Sequence, residues 1–152
     1  MRVIAGSAKG RKLKTLEGMD VRPTTDKVKE AIFSSIQFQI PGAVVLDLFA
    51  GSGQMGIEAI SRGAQKVSFV DRSAKSLQVT RENLEALHFM EQAQLSQTDA
   101  ASFLRTAAQQ YSVVILDPPY RKGMLEQLLP LLEPLRESDG IVICEHETGL
   151  VL

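Results

Sequence analysis

The tetrapeptide Asp117-Pro118-Pro119-Tyr120 stands directly after an apolar run at residues 113–116. Two consecutive prolines fix the backbone and remove two N–H donors, which leaves the Asp117 carboxylate and the Pro118 carbonyl as acceptors. Together they could hold an exocyclic amino group by both hydrogens, which would localise the nitrogen lone pair for attack. Tyr120 could stack on a base taken out of its helix. The alternative interpretation of the tetrapeptide is a strand-to-loop turn with a buried tyrosine. The tetrapeptide therefore indicates a binding site only if it follows a strand of a sheet that also carries a glycine loop.

A glycine-rich turn, GSGQMG at residues 51–56, follows an apolar run that ends on Asp47. Its spacing matches the dinucleotide pattern G-x-G-x-x-G, and Asp71 lies about 20 residues beyond Gly51, so an NAD(P)-binding oxidoreductase is one interpretation. Two features oppose it, because residues 47–50 separate the strand from the first glycine and because a pyrophosphate prefers N–H groups and basic help. A cationic cofactor without phosphate, S-adenosylmethionine, suits an acidic site better.

Acidic residues recur where the predicted strands end: Asp47, Asp71, Asp99 and Asp117 each fall at or just past one. In an open parallel sheet these ends share one edge, where ligands bind. The alternative is that each aspartate caps the helix that follows it. For Asp99 the capping role and the ligand-binding role are equally well supported. For Asp117 the capping role is poorly supported, because two prolines delay the next helix.

The elements that must position these residues alternate along the chain. Apolar runs predict strands at 43–47, 65–71, 92–97, 112–117 and 140–145. Helical periodicity is predicted between them over 54–62, from a Ser73 cap through Leu77, Leu84 and Leu87, around Phe103 and Leu104, and along a leucine stripe at 125–135. This alternation predicts a Rossmann-like α/β fold, a mostly parallel sheet with helices on both faces. We expect that domain to span residues 42–152, with Pro41-Gly42 as its boundary.

Residues 1–41 are predicted to be a separate basic extension. Basic residues without any acid fill its first part, as Arg2, Lys9, Arg11, Lys12 and Lys14, although the whole chain has a net charge of -1. Runs 2–5 and 11–16 predict a β-hairpin, and Val28, Ile32 and Ile36, with Phe33 beside them, predict the apolar face of a helix. A basic end on an acidic body indicates an anionic partner, although charge alone does not separate this from a solvated tail.

Composition narrows the class of protein. The chain has 152 residues and no apolar run that approaches the roughly 20 residues of a membrane span. The single Cys144 excludes an internal disulfide and fits a reducing compartment, so we expect a cytoplasmic protein. His146 has no second His or Cys at ligand spacing, so we expect no metal site. We also expect a monomer.

In this order and spacing, the motifs DLFAGSG, VSFVD, TDA and DPPY resemble class I S-adenosylmethionine-dependent methyltransferases that act on exocyclic amino groups. The N-terminal RVIAGSAKGRKL and RPTTDKVKEAIFSSI resemble the bacterial 16S rRNA (guanine-N2) methyltransferase family, and the match covers nearly the whole chain. The resemblance implies methyl transfer to N2 of a guanine in 16S rRNA or the small ribosomal subunit. A DNA or RNA adenine-N6 methyltransferase could use the same tetrapeptide and is the alternative substrate interpretation.

The resemblance also implies roles for individual residues. The cofactor would lie against Asp47, Gly51, Gly53, Asp71, Arg72, Asp99, Ala100, Arg22 and Thr24. The target guanine would be held by Asp117, Pro118 and Tyr120, and rRNA phosphates would be held by Lys9, Arg11, Lys12, Lys14, Arg121 and Lys122. In that family the sheet continues past strand 5 into an antiparallel pair, so we expect strands 6 and 7 to be missing from this chain.

Overall fold

A five-stranded parallel sheet forms the centre of the computed structural model, which describes residues 2–15, 26–107, 109–116 and 124–144. The strands are β1 (Val44–Leu48), β2 (Lys66–Asp71), β3 (Ala93–Gln97), β4 (Tyr111–Leu116) and β5 (Arg136–Cys144). The helices are α1 (Asp26–Ser35), α2 (Gln54–Ser61), α3 (Ala74–Ala86), α4 (Ala100–Thr106) and α5 (Met124–Leu132), with 3-10 turns at Met90–Gln92 and Glu133–Leu135. The predicted Rossmann-like α/β fold is confirmed.

The strand order is β3-β2-β1-β4-β5, and all four pairings are parallel. The chain therefore starts at the centre, runs outward through β2 and β3, and returns to place β4 on the other side of β1. This reversal of direction between β1 and β4 is the position at which open α/β sheets bind ligands, outside the carboxyl ends of the strands.

Side chains of the central strands alternate between two cores. Val45 and Phe69 face the core beneath α1, α2 and α3, whereas Leu46 and Val70 face the core beneath α4 and α5. Because both faces are covered, β1 reads as a nearly continuous apolar run, as expected for a buried parallel strand. Asp47 is the polar exception within it.

The N-terminal segment forms only a short part of the predicted β-hairpin. Its described part has one antiparallel bridge, between Arg2 and Lys12, beside which Val3 N–H donates to the Arg11 carbonyl at 2.9 Å. The pairing extends no further, because the backbone groups that follow bond to side chains of the helices. Ile4 N–H donates to Glu58 of α2 at 2.9 Å, and Lys14 N–H donates to Asn83 of α3 at 2.7 Å.

The predicted apolar face of the first helix is right for Ile36, which is buried, and for Ile32, which packs against the same core, but it is wrong for Val28. Val28 is 41% exposed, whereas Lys29 and Phe33 are fully buried. Lys29 turns inward because it has partners there: its ammonium donates to the Arg2 carbonyl at 2.6 Å and lies 3.8 Å from Glu58 Oε1. An inward-facing lysine at this position shifts the buried face of the helix.

Apolar side chains from the first 40 residues, among them Val3, Leu13, Phe33 and Ile40, belong to the same core cluster as Val45 of β1. The division into a 1–41 extension and a 42–152 domain stays a prediction. None of the helices in the described ranges has the length and apolar character needed to cross a membrane.

Candidate active site

Three of the four aspartates singled out in the sequence stand at the carboxyl edge of the sheet. Asp47 is the fourth residue of β1, Asp71 is the last residue of β2, and Asp99 follows β3. The fourth, Asp117, lies outside the described residues, directly after β4, whose last residue Leu116 is in register with Leu48. The described part of this edge thus carries three carboxyl groups from neighbouring strands.

Asp47 is the least accessible of the three, with 2% of its surface exposed. Its Oδ2 accepts a hydrogen bond from Gly56 N–H at 3.0 Å, which ties β1 to the first turn of α2. Burial raises the pKa of the Asp47 carboxyl from 3.8 to about 7, the Gly56 N–H opposes the rise, and the Asp71 charge adds to it. A cation placed beside Asp47 would therefore be strongly stabilising, because it would restore the ionised form.

The glycine turn is held in a shape that side chains would not allow. Gly53 has φ of 85°, and a Cβ there would lie 2.8 Å from Thr80 Cγ2. A Cβ on Gly56 would lie 2.3 Å from Phe69 Cε1, so α2 packs against β2 at a distance that requires glycine. Phe49 is also left-handed, with φ of 69°, a strained conformation for an aromatic residue. Such strain persists only where the surroundings determine it, and it is common at ligand sites.

Asp71 links the turn to the start of α3. Its Oδ2 accepts from Gly51 N–H and its Oδ1 accepts from Ser73 N–H, both at 2.9 Å. Each carboxylate oxygen has a second lone pair, so Asp71 keeps acceptor capacity for hydroxyl groups of a ligand. Arg72, next to it, is exposed.

Asp99 caps α4, the helix that follows it, which is the alternative to ligand binding stated for it above. Its Oδ1 accepts from Ser102 N–H at 2.9 Å and its Oδ2 accepts from the Ser102 hydroxyl at 2.8 Å. The Ser102 backbone N–H is the main reason that the pKa of Asp99 is held below its ordinary value. Ala100 is buried at the first position of α4. Contact of this pair with a cofactor stays a prediction.

A polar face of α3, which the sequence analysis missed, supports the glycine turn. Thr80 Oγ1 donates to the Gly51 carbonyl at 2.7 Å, and Asn83 Nδ2 donates to the Ser52 carbonyl at 3.0 Å. Both side chains are buried, as is Ser76 one turn earlier. The signal was available, because 76, 80 and 83 recur at i, i+4 and i+7, the spacing of one helix face.

The basic residues of the N-terminal segment are exposed and lie on a folded loop, not on a loose tail. Lys9, Arg11, Lys12 and Lys14 all reach the surface. Arg11 donates to the Ala86 carbonyl at 3.2 Å, and Lys14 Nζ lies 3.1 Å from Glu82 Oε1, so the segment runs along α3. Since α3 also borders the glycine turn, the basic segment is fixed beside the candidate cofactor site.

A buried ionic cluster, also missed, joins that segment to α2. The Glu58 carboxylate is fully buried and accepts from Ile4 N–H at 2.9 Å, Ala5 N–H at 3.0 Å and Arg62 Nε at 2.7 Å. Burial lowers the pKa of Lys29, while the neighbouring Glu58 carboxylate opposes that change. Arg62 stands four residues after Glu58 on one helix face, but Ile4, Ala5 and Lys29 lie more than 25 residues from Glu58, so local patterns could not have predicted the whole cluster.

Several predicted site residues lie outside the described residues: Arg22, Thr24, Asp117, Pro118, Tyr120, Arg121 and Lys122. Their roles stay predictions. Within the ranges that the structure describes, no three His, Cys, Asp or Glu side chains come together as a metal-binding group.

Comparison with known proteins places this arrangement in a family. The sequence profile of the family described as Conserved hypothetical protein 95 matches residues 1–151. The chain belongs to this family. YlbH of Bacillus subtilis, named as a candidate rRNA methyltransferase, is 46% identical over all of this chain and 85% of its own. Ribosomal RNA small subunit methyltransferase D of Escherichia coli strain K12 is 38% identical over 88% of this chain and 67% of its own.

Solved structures agree with the sequence relatives. A candidate methyltransferase of Escherichia coli, yhhF, superposes with a TM-score of 0.89 at 34% identity, covering 100% of this chain and 85% of its own. The resemblance that the motifs indicated is therefore confirmed at the level of the family, and the sheet and its helices have the class I methyltransferase fold.

Proposed function

We propose that this protein methylates ribosomal RNA, and more narrowly that it transfers a methyl group from S-adenosylmethionine to N2 of a guanine in 16S rRNA. The observation that carries the proposal is the pair of carboxyl groups, Asp47 and Asp71, that flank a strained glycine turn at the reversal point of the sheet. The relatives named for rRNA methylation support the choice of substrate.

The described residues fit S-adenosylmethionine better than a dinucleotide. A sulfonium and an ammonium group are cations, and the buried Asp47 with its raised pKa favours a positive neighbour. The acceptors left on Asp71 suit ribose hydroxyls. A pyrophosphate at this edge would instead face three carboxyl groups. Asp99 with Ala100, and Arg22, Thr24 and Arg72, are proposed to complete the cofactor site.

When bound, S-adenosylmethionine supplies a methyl group on a sulfonium leaving group. The chain's own contribution is to hold the nucleophile, and we assign this to Asp117 and Pro118, which would accept both amino hydrogens of the guanine while Tyr120 stacks on its ring. Held in this way, the amino nitrogen would accept the methyl group as the sulfonium departs as a thioether, and its extra proton would pass to water. Positioning supplies most of the acceleration, so no strong base is required before attack.

RNA binding is assigned to the basic residues of the segment that runs along α3, together with Arg121 and Lys122, which follow the tetrapeptide in the sequence. Exposed lysines and arginines on an ordered backbone can neutralise phosphates in a fixed geometry. Residues 1–41 would then form the RNA-binding part and residues 42–152 the cofactor-binding part of a cytoplasmic monomer.

The test of the chemistry is Asp117→Ala, assayed with labelled cofactor on 16S rRNA and on small ribosomal subunits from cells that lack the protein. We expect turnover to fall by at least about 100-fold, because one of two positioned acceptors is lost, while calorimetric affinity for S-adenosylmethionine changes less than about twofold. Glu126→Ala, an acid-to-alanine change at an exposed position of α5, is the matched control and should retain activity.

Mapping the product separates the proposal from its alternatives. N2-methylguanine at a single 16S position supports it, whereas N6-methyladenine in RNA or DNA would overturn the substrate. Tight binding of NAD without binding of S-adenosylmethionine would overturn the cofactor. Near-normal rRNA methylation by the Asp117→Ala protein would remove the assigned role of that residue.

A further inference from the structure

One side chain touches both the basic N-terminal segment and the glycine turn. Asn83 lies on α3 with 3% of its surface exposed. Its Oδ1 accepts from Lys14 N–H at 2.7 Å, and its Nδ2 donates to the Lys14 carbonyl at 3.2 Å and to the Ser52 carbonyl at 3.0 Å. A single amide group therefore joins the segment to the turn.

The amide chemistry suits this junction. An asparagine side chain has two N–H donors and a carbonyl acceptor, and here both donors and the acceptor are in use. Because Asn83 pairs with both backbone groups of Lys14, it fixes the path of the backbone, from which the exposed Lys14 ammonium, paired with Glu82 at the surface, could exchange that partner for a phosphate. Its other donor holds the carbonyl between Gly51 and Gly53, which a bound cofactor would press against.

We propose that Asn83 is a positioning residue that couples cofactor binding to RNA binding. This inference rests on the proposed function. A cofactor lying on the turn would hold the Ser52 carbonyl in place and, through the Asn83 amide, would reduce local opening of the Lys14 backbone away from α3. The loaded protein would then keep the basic segment in its folded arrangement for more of the time, so RNA binds more tightly to it. Linkage requires that RNA tighten cofactor binding by the same factor.

Thr80 provides a matched control on the same helix face. It supports the same turn, by donating to the Gly51 carbonyl, one turn earlier on α3. Thr80→Val keeps the shape of the side chain and removes this bond, while the three bonds of Asn83 remain. If the link through Asn83 carries the coupling, the two substitutions must differ in their effect on it even if both weaken cofactor binding.

The experiment measures the dissociation constant of 16S rRNA with and without saturating S-adenosylhomocysteine, the demethylated cofactor, so that no turnover occurs. For the wild-type protein we expect RNA affinity to rise about fivefold or more when this ligand is present. For Asn83→Ala the ratio should fall below about twofold although both ligands still bind. Thr80→Val should keep the wild-type ratio.

Equal RNA affinity with and without the ligand in the wild type, or an unchanged ratio in Asn83→Ala, would overturn the inference. If Asn83→Ala does not fold, hydrogen exchange in the wild type decides, because S-adenosylhomocysteine should slow exchange of the Lys14 amide, and an unchanged rate contradicts the link. Failure of the wild type to bind either ligand would refute the proposed function itself, which is a different result from independent binding of both.

Discussion

Asp47 shows how one residue of the central strand can prepare a site for a cation. A buried carboxyl with a pKa of about 7 is partly protonated at neutral pH, and the charge of neighbouring Asp71, also an acid, raises that pKa further. A ligand that brings positive charge to this position converts an unfavourable ionised form into a favourable one. The raised pKa of the Asp47 carboxyl therefore means that this position favours a cationic ligand.

A pH dependence follows from this preference. Below pH 7 the free protein holds a proton on Asp47, and a bound cation should displace it. Calorimetry of S-adenosylmethionine binding at pH 6, in two buffers with different ionisation enthalpies, should show release of up to about one proton per ligand, and affinity should rise as the pH approaches and passes 7. Asp47→Asn keeps an acceptor for Gly56 N–H and should abolish the proton release.

The pH dependence of the free energy of unfolding gives an independent check that the pKa of Asp47 is raised and not lowered. Because the folded pKa of Asp47 is above its unfolded value, its contribution to the free energy of unfolding is complete below about pH 4 and is lost as the pH rises to about 7. Relative to Asp47→Asn, the ligand-free wild type should therefore lose up to about 4 kcal/mol over that range. A difference that stays constant between pH 4 and 7 would show that Asp47 titrates normally.

At the scale of the elements, the position of α2 depends on the absence of a Cβ atom at Gly56. Gly56 lets the helix approach β2 closely enough for the Asp47 bond and for contact with the Phe69 ring. The distance from the missing Cβ to the ring, 2.3 Å, is far shorter than any ordinary contact. Helix, strand and turn must therefore move together if this position changes.

Gly56→Ala should accordingly lower the free energy of unfolding by roughly 2 kcal/mol or more, the cost of overpacking in a rigid core, as measured by urea denaturation. It should also weaken cofactor binding, since the first turn of α2 is displaced from Asp47. Phe69→Leu in the same protein makes room for the new methyl group and should restore part of the loss. If the double variant were less stable than the sum of the two single losses, this packing account would be wrong.

The same elements show what could be predicted from the sequence. Strands β1 to β4 were predicted to within one residue at each end, because strands buried on both faces are continuous apolar runs. Strand β5 begins at Arg136, four residues before the predicted start, because Arg136 pairs with Tyr111 ahead of a break in register while residues 136–139 are polar and lie outside the apolar run. On α1 the burial of Lys29 in place of Val28 was not predicted, because the partners of Lys29 are distant in the sequence. The acidic edge could be predicted from the expected topology of the sheet, whereas the hydrogen bonds of the Asn83 amide to the turn could be seen only in the structure.

At the scale of the whole molecule, a negatively charged region and a positively charged region lie side by side. The carboxyl edge of the sheet favours a cation, and the exposed residues of the basic segment favour phosphates, with α3 between them. A polyanion that approached the acidic edge directly would be repelled. The arrangement therefore directs an RNA backbone to the basic segment and leaves the acidic edge to the cofactor.

This separation predicts which charges determine the salt dependence of RNA binding. Replacing Lys9 and Lys12 with glutamine should reduce the slope of log affinity against log salt by about 1.5, since each phosphate contact contributes about 0.7 to 0.9. The matched control replaces Lys66 and Arg105, at the start of β2 and in the last turn of α4, which changes the net charge equally. Filter binding of 16S rRNA across a salt series should show almost no change of slope for this control. Equal slopes for the two double variants would mean that overall charge, and not the position of the basic segment, governs RNA binding.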